Sequence, residues 1–218
     1  MNIFLSAVSL ILAYIAGSIP TSVWAGKIFH DIDIREHGSG NAGATNTIRV
    51  LGWKTGVPVL IIDIAKGLVA ALLPTFLHAA VNGSDQMVII QIACGIAAIV
   101  GHVFPVFAGF NGGKGVATTF GVLLALQPWA TLDCAGIFII VLLIGGYVSL
   151  ASITAGIMLP VFIFTLFNTP SVVMKIFSVL VAVAIIITHE KNIVRLFRGE
   201  EKKFLYNKKS KKKFQKNI

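Results

Sequence analysis

Charge is scarce in this chain of 218 residues: only 12% are Asp, Glu, Lys or Arg, whereas 56% are hydrophobic. A mean hydropathy of +0.87 goes with that balance, which excludes an ordinary soluble domain. Cysteine is nearly absent. Cys94 and Cys134 both lie inside apolar runs, with no CxxC and no His or carboxylate at ligand spacing nearby. They read as core or lipid-facing residues, and no metal site is apparent. A basic n-region is missing too. The first apolar run begins at Ile3 and continues past Ala13 towards Trp24, so it reads as a retained span and not as a cleaved signal peptide.

Long apolar runs dominate what is present. After the first, they cover 56–78, 86–108, 116–132, 134–150, 152–168 and 172–188. Turn signals separate several of them: Asn82-Gly83-Ser84-Asp85, Gln127-Pro128 with Asp133, and Asn168-Thr169-Pro170. At about 20 residues per span, this predicts an all-α integral membrane protein with seven transmembrane helices. The expected organisation is one membrane domain over 1–198 and a basic tail over 199–218. The runs between 116 and 168 are short and admit another partition.

The cations set the expected orientation, because short cytoplasmic loops retain Lys and Arg. Lys27, Arg35, Arg49 and Lys54 follow the first span, Lys114 follows the third, and eleven of the 18 Lys and Arg follow the seventh. The loops near 79–85, 127–133 and 168–171 have neither. The N-terminus is expected outside and the C-terminus in the cytoplasm. Each of the three polar stretches follows an odd-numbered span, so all three are expected on the cytoplasmic side, at one shared site.

Those stretches are Arg35 to Arg49, Gly109 to Thr119 and His189 to Arg198. In the first, Gly38, Gly40 and Gly43 alternate with Ser39, Asn41, Thr45 and Asn46 before Arg49. Glycines allow close approach, so successive N–H groups can form an anion-binding concavity to which Arg49 adds a bidentate fork. In the second, Gly112-Gly113-Lys114-Gly115 is not a nucleotide P-loop. Ala108 stands where that motif needs glycine, and Gly115 follows the lysine where Ser or Thr is required. What remains is a glycine turn entering a helix at Val116, whose free N–H groups favour phosphate, with Lys114 as counter-charge. In the third, His189, Asn192 and Arg195 recur every three residues on an expected continuation of the last span, offering an imidazole and an amide from one face. The lysine-rich run beyond Arg198 reads as a solvated tail attracted to anionic membrane lipids, with no sign of nucleic-acid binding.

Taken together, Arg35-(x)₂-Gly38-Ser39-Gly40-Asn41-Ala42-Gly43-Ala44-Thr45-Asn46-(x)₂-Arg49, then Gly101-His102-(x)₂-Pro105-(x)₃-Gly109-(x)₂-Gly112-Gly113-Lys114-Gly115-Val116-Ala117-Thr118, then His189-(x)₂-Asn192 resemble the three motifs of the bacterial acyl-phosphate:glycerol-3-phosphate acyltransferases. The resemblance runs to about residue 205 and includes Asp63 and Lys66-Gly67; the long lysine-rich tail has no match in the family pattern. It implies an inner-membrane enzyme of phospholipid synthesis that needs no cofactor. The enzyme would transfer a fatty acyl group from acyl phosphate to the 1-hydroxyl of glycerol 3-phosphate, giving lysophosphatidic acid and phosphate. By the same resemblance Ser39, Arg49, His189 and Asn192 are catalytic candidates. Asn41, Thr45, Asn46, Gly112, Gly113, Lys114 and Gly115 would bind substrate phosphate. The HxxxxD signature of acyl-CoA enzymes is absent: the fifth residue after each histidine is Arg35, Ala42, Gly83, Phe107 or Val194. A labile, lipid-soluble donor makes a soluble acyl-phosphate-producing enzyme a reasonable partner. A transporter of phosphorylated solutes is the alternative, disfavoured by the lack of an intramembrane string of ionisable residues, Asp63 and Lys66 excepted, and of a repeat.

Overall fold

The structure, a computed structural model, describes residues 1–204. These form helices α1 (Ile3–Gly17), α2 (Thr21–His30), α3 (Ala44–Leu51), α4 (Trp53–Phe76), α5 (Asp85–Val103), α6 (Val116–Leu126), α7 (Pro128–Gly145), α8 (Val148–Phe164), α9 (Val172–Thr188) and α10 (Glu190–Phe197). Short 3₁₀ turns lie at Ile34–Glu36 and Val106–Ala108, and there is no strand among the described residues.

Sequence runs and helices coincide over α9, and at α4 and α5 they agree within a few residues. The run from 116 to 132 divides at Gln127, whose non-helical backbone is followed by Pro128 in the first turn of α7. That moves the expected boundary towards the N-terminus by several residues. The first run bends by 40° at Ser18-Ile19-Pro20, between α1 and α2. Another bend of 60°, at His189, replaces the expected straight continuation of the last span. By length and composition α4, α5 with the turn after it, and α7 can each cross a membrane, and the two bent pairs raise the number to five. Helices α6 and α8 are shorter apolar helices.

Helix association in a lipid environment favours small residues that let backbones touch. Gly17 and Gly101 do this between α1 and α5, where added Cβ atoms would stand 2.2 Å from Ala98 O and 2.5 Å from Tyr14 O. Gly67 and Gly121 do it between α4 and α6, with corresponding distances of 2.0 Å to Thr118 O and 1.9 Å to Ile64 O. The larger apolar core lies under α6 to α9, where Val122, Leu159, Ile163, Met174, Phe177 and Val181 pack together. Cys134 joins that core and Cys94 joins a second one with Ala13, Ala70 and Ala98; both thiols are free.

Three of the helices begin with a side-chain cap. Asn2, Ser84 and Ser171 cap α1, α5 and α9 through side-chain acceptors, as the N–H groups of a first turn require. Asn2 N–H also donates to Ala79 O at 2.7 Å, which places the start of α1 beside the end of α4. Helices α3 and α6 begin instead at Gly43 and Gly115, with no side-chain cap. Their uncapped first turns belong to the first two polar stretches.

Candidate active site

The first stretch is held by its own asparagine. The Asn46 amide donates to Ile34 O at 3.1 Å and His37 O at 3.0 Å, and its Oδ1 accepts from Ser39 N–H at 2.9 Å. Only 1% of Asn46 is exposed. This differs from the expectation that Asn46 faces phosphate: its amide is spent on shaping the loop, because a buried polar group must be satisfied internally. Gly38 sits at φ +66° directly against that amide, where a Cβ would come within 2.2 Å of Asn46 Oδ1. Ser39 is exposed at the crest, and Asn41, Thr45 and Arg49 are half-buried around it. Arg35 pairs with Asp33 at 2.7 Å and donates to Ala108 O at 2.8 Å and Asn111 O at 3.3 Å, tying the first stretch to the second. The Arg35 hydrogen bonds hold the Asp33 carboxyl well below the usual carboxylate range, against its burial.

The second stretch turns back on the end of α5. Gly112 N–H donates to Val103 O and Gly113 N–H to His102 O, both at 3.1 Å. Ala42 of the first stretch lies against this turn, since a Cβ on Gly113 would stand 2.6 Å from Ala42 O. Gly115, at φ +78°, then enters α6, whose first N–H groups have no partner within the helix. Lys114 Nζ donates to Asn192 Oδ1, which joins the second stretch to the third. Burial lowers the Lys114 ammonium to about 8, helped by Arg195 and Arg49 and opposed by Glu201.

At the third stretch His189 sits in the bend between α9 and α10, and 3% of it is exposed. Its Nδ1–H donates to Ile185 O at 2.8 Å, which leaves Nε2 as the acceptor nitrogen. The bend changes the expected single face: Asn192 and Arg195 are carried on α10 while His189 terminates α9. Arg195 Nε and Asn192 Nδ2 donate to the two carboxylate oxygens of Glu201, at 2.7 and 2.6 Å, and Ser149 Oγ of α8 donates to Glu201 at 2.8 Å. Burial favours the neutral form of Glu201, but those three hydrogen bonds outweigh it and lower its pKa. Arg49 lies in the same field: burial lowers its pKa, Glu201 opposes that and Arg195 adds to it.

Glu201 and Ser149 were not singled out by sequence reasoning. The one available signal was a pair of carboxylates, Glu200 and Glu201, in front of a lysine-rich run. Residues 201–204 of the expected tail make contacts with the helices, although Lys202 and Lys203 remain exposed. Lys202 Nζ donates to Gly38 O at 3.2 Å, Phe204 N–H donates to Gly146 O at 2.7 Å, and the Phe204 ring meets Trp53 edge-on at 5.5 Å. The rest of the expected tail, 205–218, lies outside the described residues. Thus Lys114 is hydrogen-bonded to Asn192 and lies within electrostatic reach of Arg49, His189, Arg195 and Glu201. No hydrogen bond joins Ser39 to His189 among the described residues, so no nucleophile–base pair is assembled.

A family model described as glycerol-3-phosphate acyltransferase matches residues 7–199. The chain belongs to the glycerol-3-phosphate acyltransferase family. It is 43% identical over 225 residues to a glycerol-3-phosphate acyltransferase of Chlorobaculum tepidum, covering 92% of this chain and 97% of the relative. It is 46% identical over 201 residues to glycerol-3-phosphate acyltransferase 2 of Bacillus anthracis, covering 92% of this chain and all of the relative. Among solved structures it resembles PlsY (YgiH), an integral membrane glycerol 3-phosphate acyltransferase, in its glycerol 3-phosphate form, with a TM-score of 0.80 and 37% identity over 91% of this chain and 95% of that one. The lysophosphatidic acid form of PlsY matches with a TM-score of 0.76 and 35% identity, over 91% and 94% of the two chains. The family, the all-helical fold and the apolar helices make this chain an integral membrane acyltransferase.

Proposed function

We propose that this enzyme transfers a fatty acyl group from acyl phosphate to the 1-hydroxyl of glycerol 3-phosphate. The observation that carries the reading is the Lys114–Asn192 hydrogen bond, which joins the third stretch to the second, itself tied to the first by Arg35, and so gathers three sequence-distant stretches with their cations and two uncapped helix starts. Two phosphate-bearing substrates suit that environment. In the first step the hydroxyl oxygen adds to the acyl carbonyl. The bond from the acyl carbon to the phosphate oxygen then breaks, and phosphate departs with the electron pair. Arg49, Lys114 and the N–H groups at the starts of α3 and α6 hold the phosphates, with Thr45, Asn41 and the turn from Gly112 to Gly115 shaping the cradle. The Ser39 hydroxyl donates to the developing oxyanion. Two acceptors are open to the hydroxyl proton: Nε2 of His189, left unprotonated by the bond to Ile185, and the departing phosphate itself. Asn192 orients Lys114.

The same reading takes the chain across the membrane seven times. Each bent pair counts as one, joined by α4, α5, α6, α7 and α8. Gly146 and Ser149 lie beside Phe204 and Glu201, as strict alternation from α5 onwards requires if the site faces the cytoplasm of a bacterial inner membrane.

The test is phosphate release by the purified protein supplied with palmitoyl phosphate, with and without glycerol 3-phosphate, and with palmitoyl-CoA as the control donor. Release that depends on glycerol 3-phosphate, needs the acyl phosphate and yields lysophosphatidic acid is expected. Turnover with palmitoyl-CoA alone would overturn the donor assignment.

A further inference from the structure

One buried charged cluster takes no part in the chemistry above. Asp63 and Lys66 stand three residues apart on α4, with Lys66 Nζ 2.9 Å from Asp63 Oδ1 and their side chains 2% and 5% exposed. A charged pair inside a membrane helix is costly and adds little net stability, so its retention points to a task. Its contacts reach irregular backbone. Lys66 Nζ donates to Ile19 O at 3.0 Å, and Thr21 Oγ1 donates to Asp63 Oδ1 at 3.0 Å, both at the break between α1 and α2.

The third contact runs towards the phosphate loop. His102 Nδ1 lies 3.7 Å from Asp63 Oδ1, at the end of α5. The far edge of the same ring backs the glycine turn, because a Cβ on Gly113 would stand 2.3 Å from His102 Nε2. Gly113 N–H also donates to His102 O at 3.1 Å. The imidazole is wedged between a carboxylate and the loop. Beyond the loop, Gly67 follows Lys66 directly and lets α4 touch Thr118 O of α6, at the 2.0 Å separation an added Cβ would have. Helix α4 thus braces the turn from both of its ends.

We propose that Asp63, Lys66 and His102 are a positioning cluster that sets the Gly112–Gly115 turn for the phosphate of glycerol 3-phosphate without touching the substrate. Lys66 neutralises Asp63 and fixes its rotamer, Asp63 orients the His102 ring, and the ring's far edge seats Gly113. The inference rests on assigning that turn to glycerol 3-phosphate.

Initial-rate kinetics on the full chain, varying each substrate in turn, test it. His102→Asn, which lacks the far edge, and the paired neutral variant Asp63→Asn/Lys66→Met should each raise KM for glycerol 3-phosphate about tenfold, with kcat and KM for acyl phosphate within about twofold. His102→Gln, whose longer amide reaches the far edge, should recover part of the loss. The paired variant removes both charges, so it folds where Asp63→Asn alone leaves an unpaired ammonium. Parental KM for glycerol 3-phosphate in folded His102→Asn or in the paired variant would overturn the proposal. So would a fall in kcat that merely tracks the folded fraction. Lys114→Met separates the two assignments: if it leaves KM for glycerol 3-phosphate unchanged, the assignment of the turn fails and takes this inference with it. If it raises KM while His102→Asn does not, only the positioning role is lost.

Discussion

Lys114 carries the sharpest consequence at the scale of a single residue. Its ammonium is partly buried near Arg49 and Arg195, with Glu201 as the opposing charge among the described residues, and burial brings its pKa down to about 8. A lysine binds phosphate only while protonated, so its contribution is present below that value and lost as pH rises through it. KM for glycerol 3-phosphate should therefore climb as pH passes about 8, well below the ordinary lysine range near 10.4. Lys114→Arg stays charged throughout and should abolish that climb, even if its planar head fits less well. KM profiles for the two proteins, taken across the same buffers, check both halves; identical profiles would remove Lys114 as the titrating group. Asn46 shows why residue type alone misleads. An amide in a glycine-rich loop looks like a ligand for phosphate, but loops of this kind also need internal acceptors and donors to hold them, and only coordinates tell the two uses apart.

Elements differ in how plainly they are written. The long helices were legible because an apolar run long enough to cross a membrane admits little else, and turn residues such as Asn82 to Asp85 and Asn168 to Pro170 punctuate them. The convergence of the three stretches was legible too, from where the cations fall. The bend at His189 was not, because Thr188-His189-Glu190 contains neither proline nor glycine, the usual causes of a sharp break. Nor was the return of residues 200–204, since a carboxylate beside many lysines looks solvated until its partners are known. That segment makes a prediction of its own. Glu201 accepts from Ser149 of α8 and from Asn192 and Arg195 of α10. Its Arg195 partner keeps 35% of its side chain exposed, so screening moderates the loss. Glu201→Ala should cost about 1–3 kcal/mol at the site, read as a fall in kcat/KM of roughly five- to 150-fold. Glu201→Gln, which keeps an acceptor for one donor, should lie between. Unchanged kcat/KM in the alanine variant would mean that the segment merely rests on the surface.

At the scale of the whole molecule the distribution of cations makes a claim about the membrane that the helices alone do not. Three helices are long and apolar enough to cross, or five with the bent pairs, while α6, at about 1.5 Å per residue, reaches only part-way through a hydrocarbon layer of about 30 Å. If α6 and α8 nevertheless carry the chain across, shielded from lipid by α4, α5 and α9, the starts of α1, α5 and α9 share one side and the polar site occupies the other. A re-entrant α6 that returned to its own side would reverse α7 and everything after it relative to α5. The two native thiols are buried, so a single exposed cysteine can be followed in the otherwise native chain. Asn82→Cys, between α4 and α5, should react with a membrane-impermeant maleimide in intact cells, whereas Asn111→Cys and Glu200→Cys should react only after the membrane is opened. Labelling of both Asn82→Cys and Glu200→Cys from outside, with Asn111→Cys protected, would instead make α6 re-entrant and separate the third stretch from the first two. The hydrogen bond from Lys114 to Asn192 could not then exist, and the single shared site would fall with it.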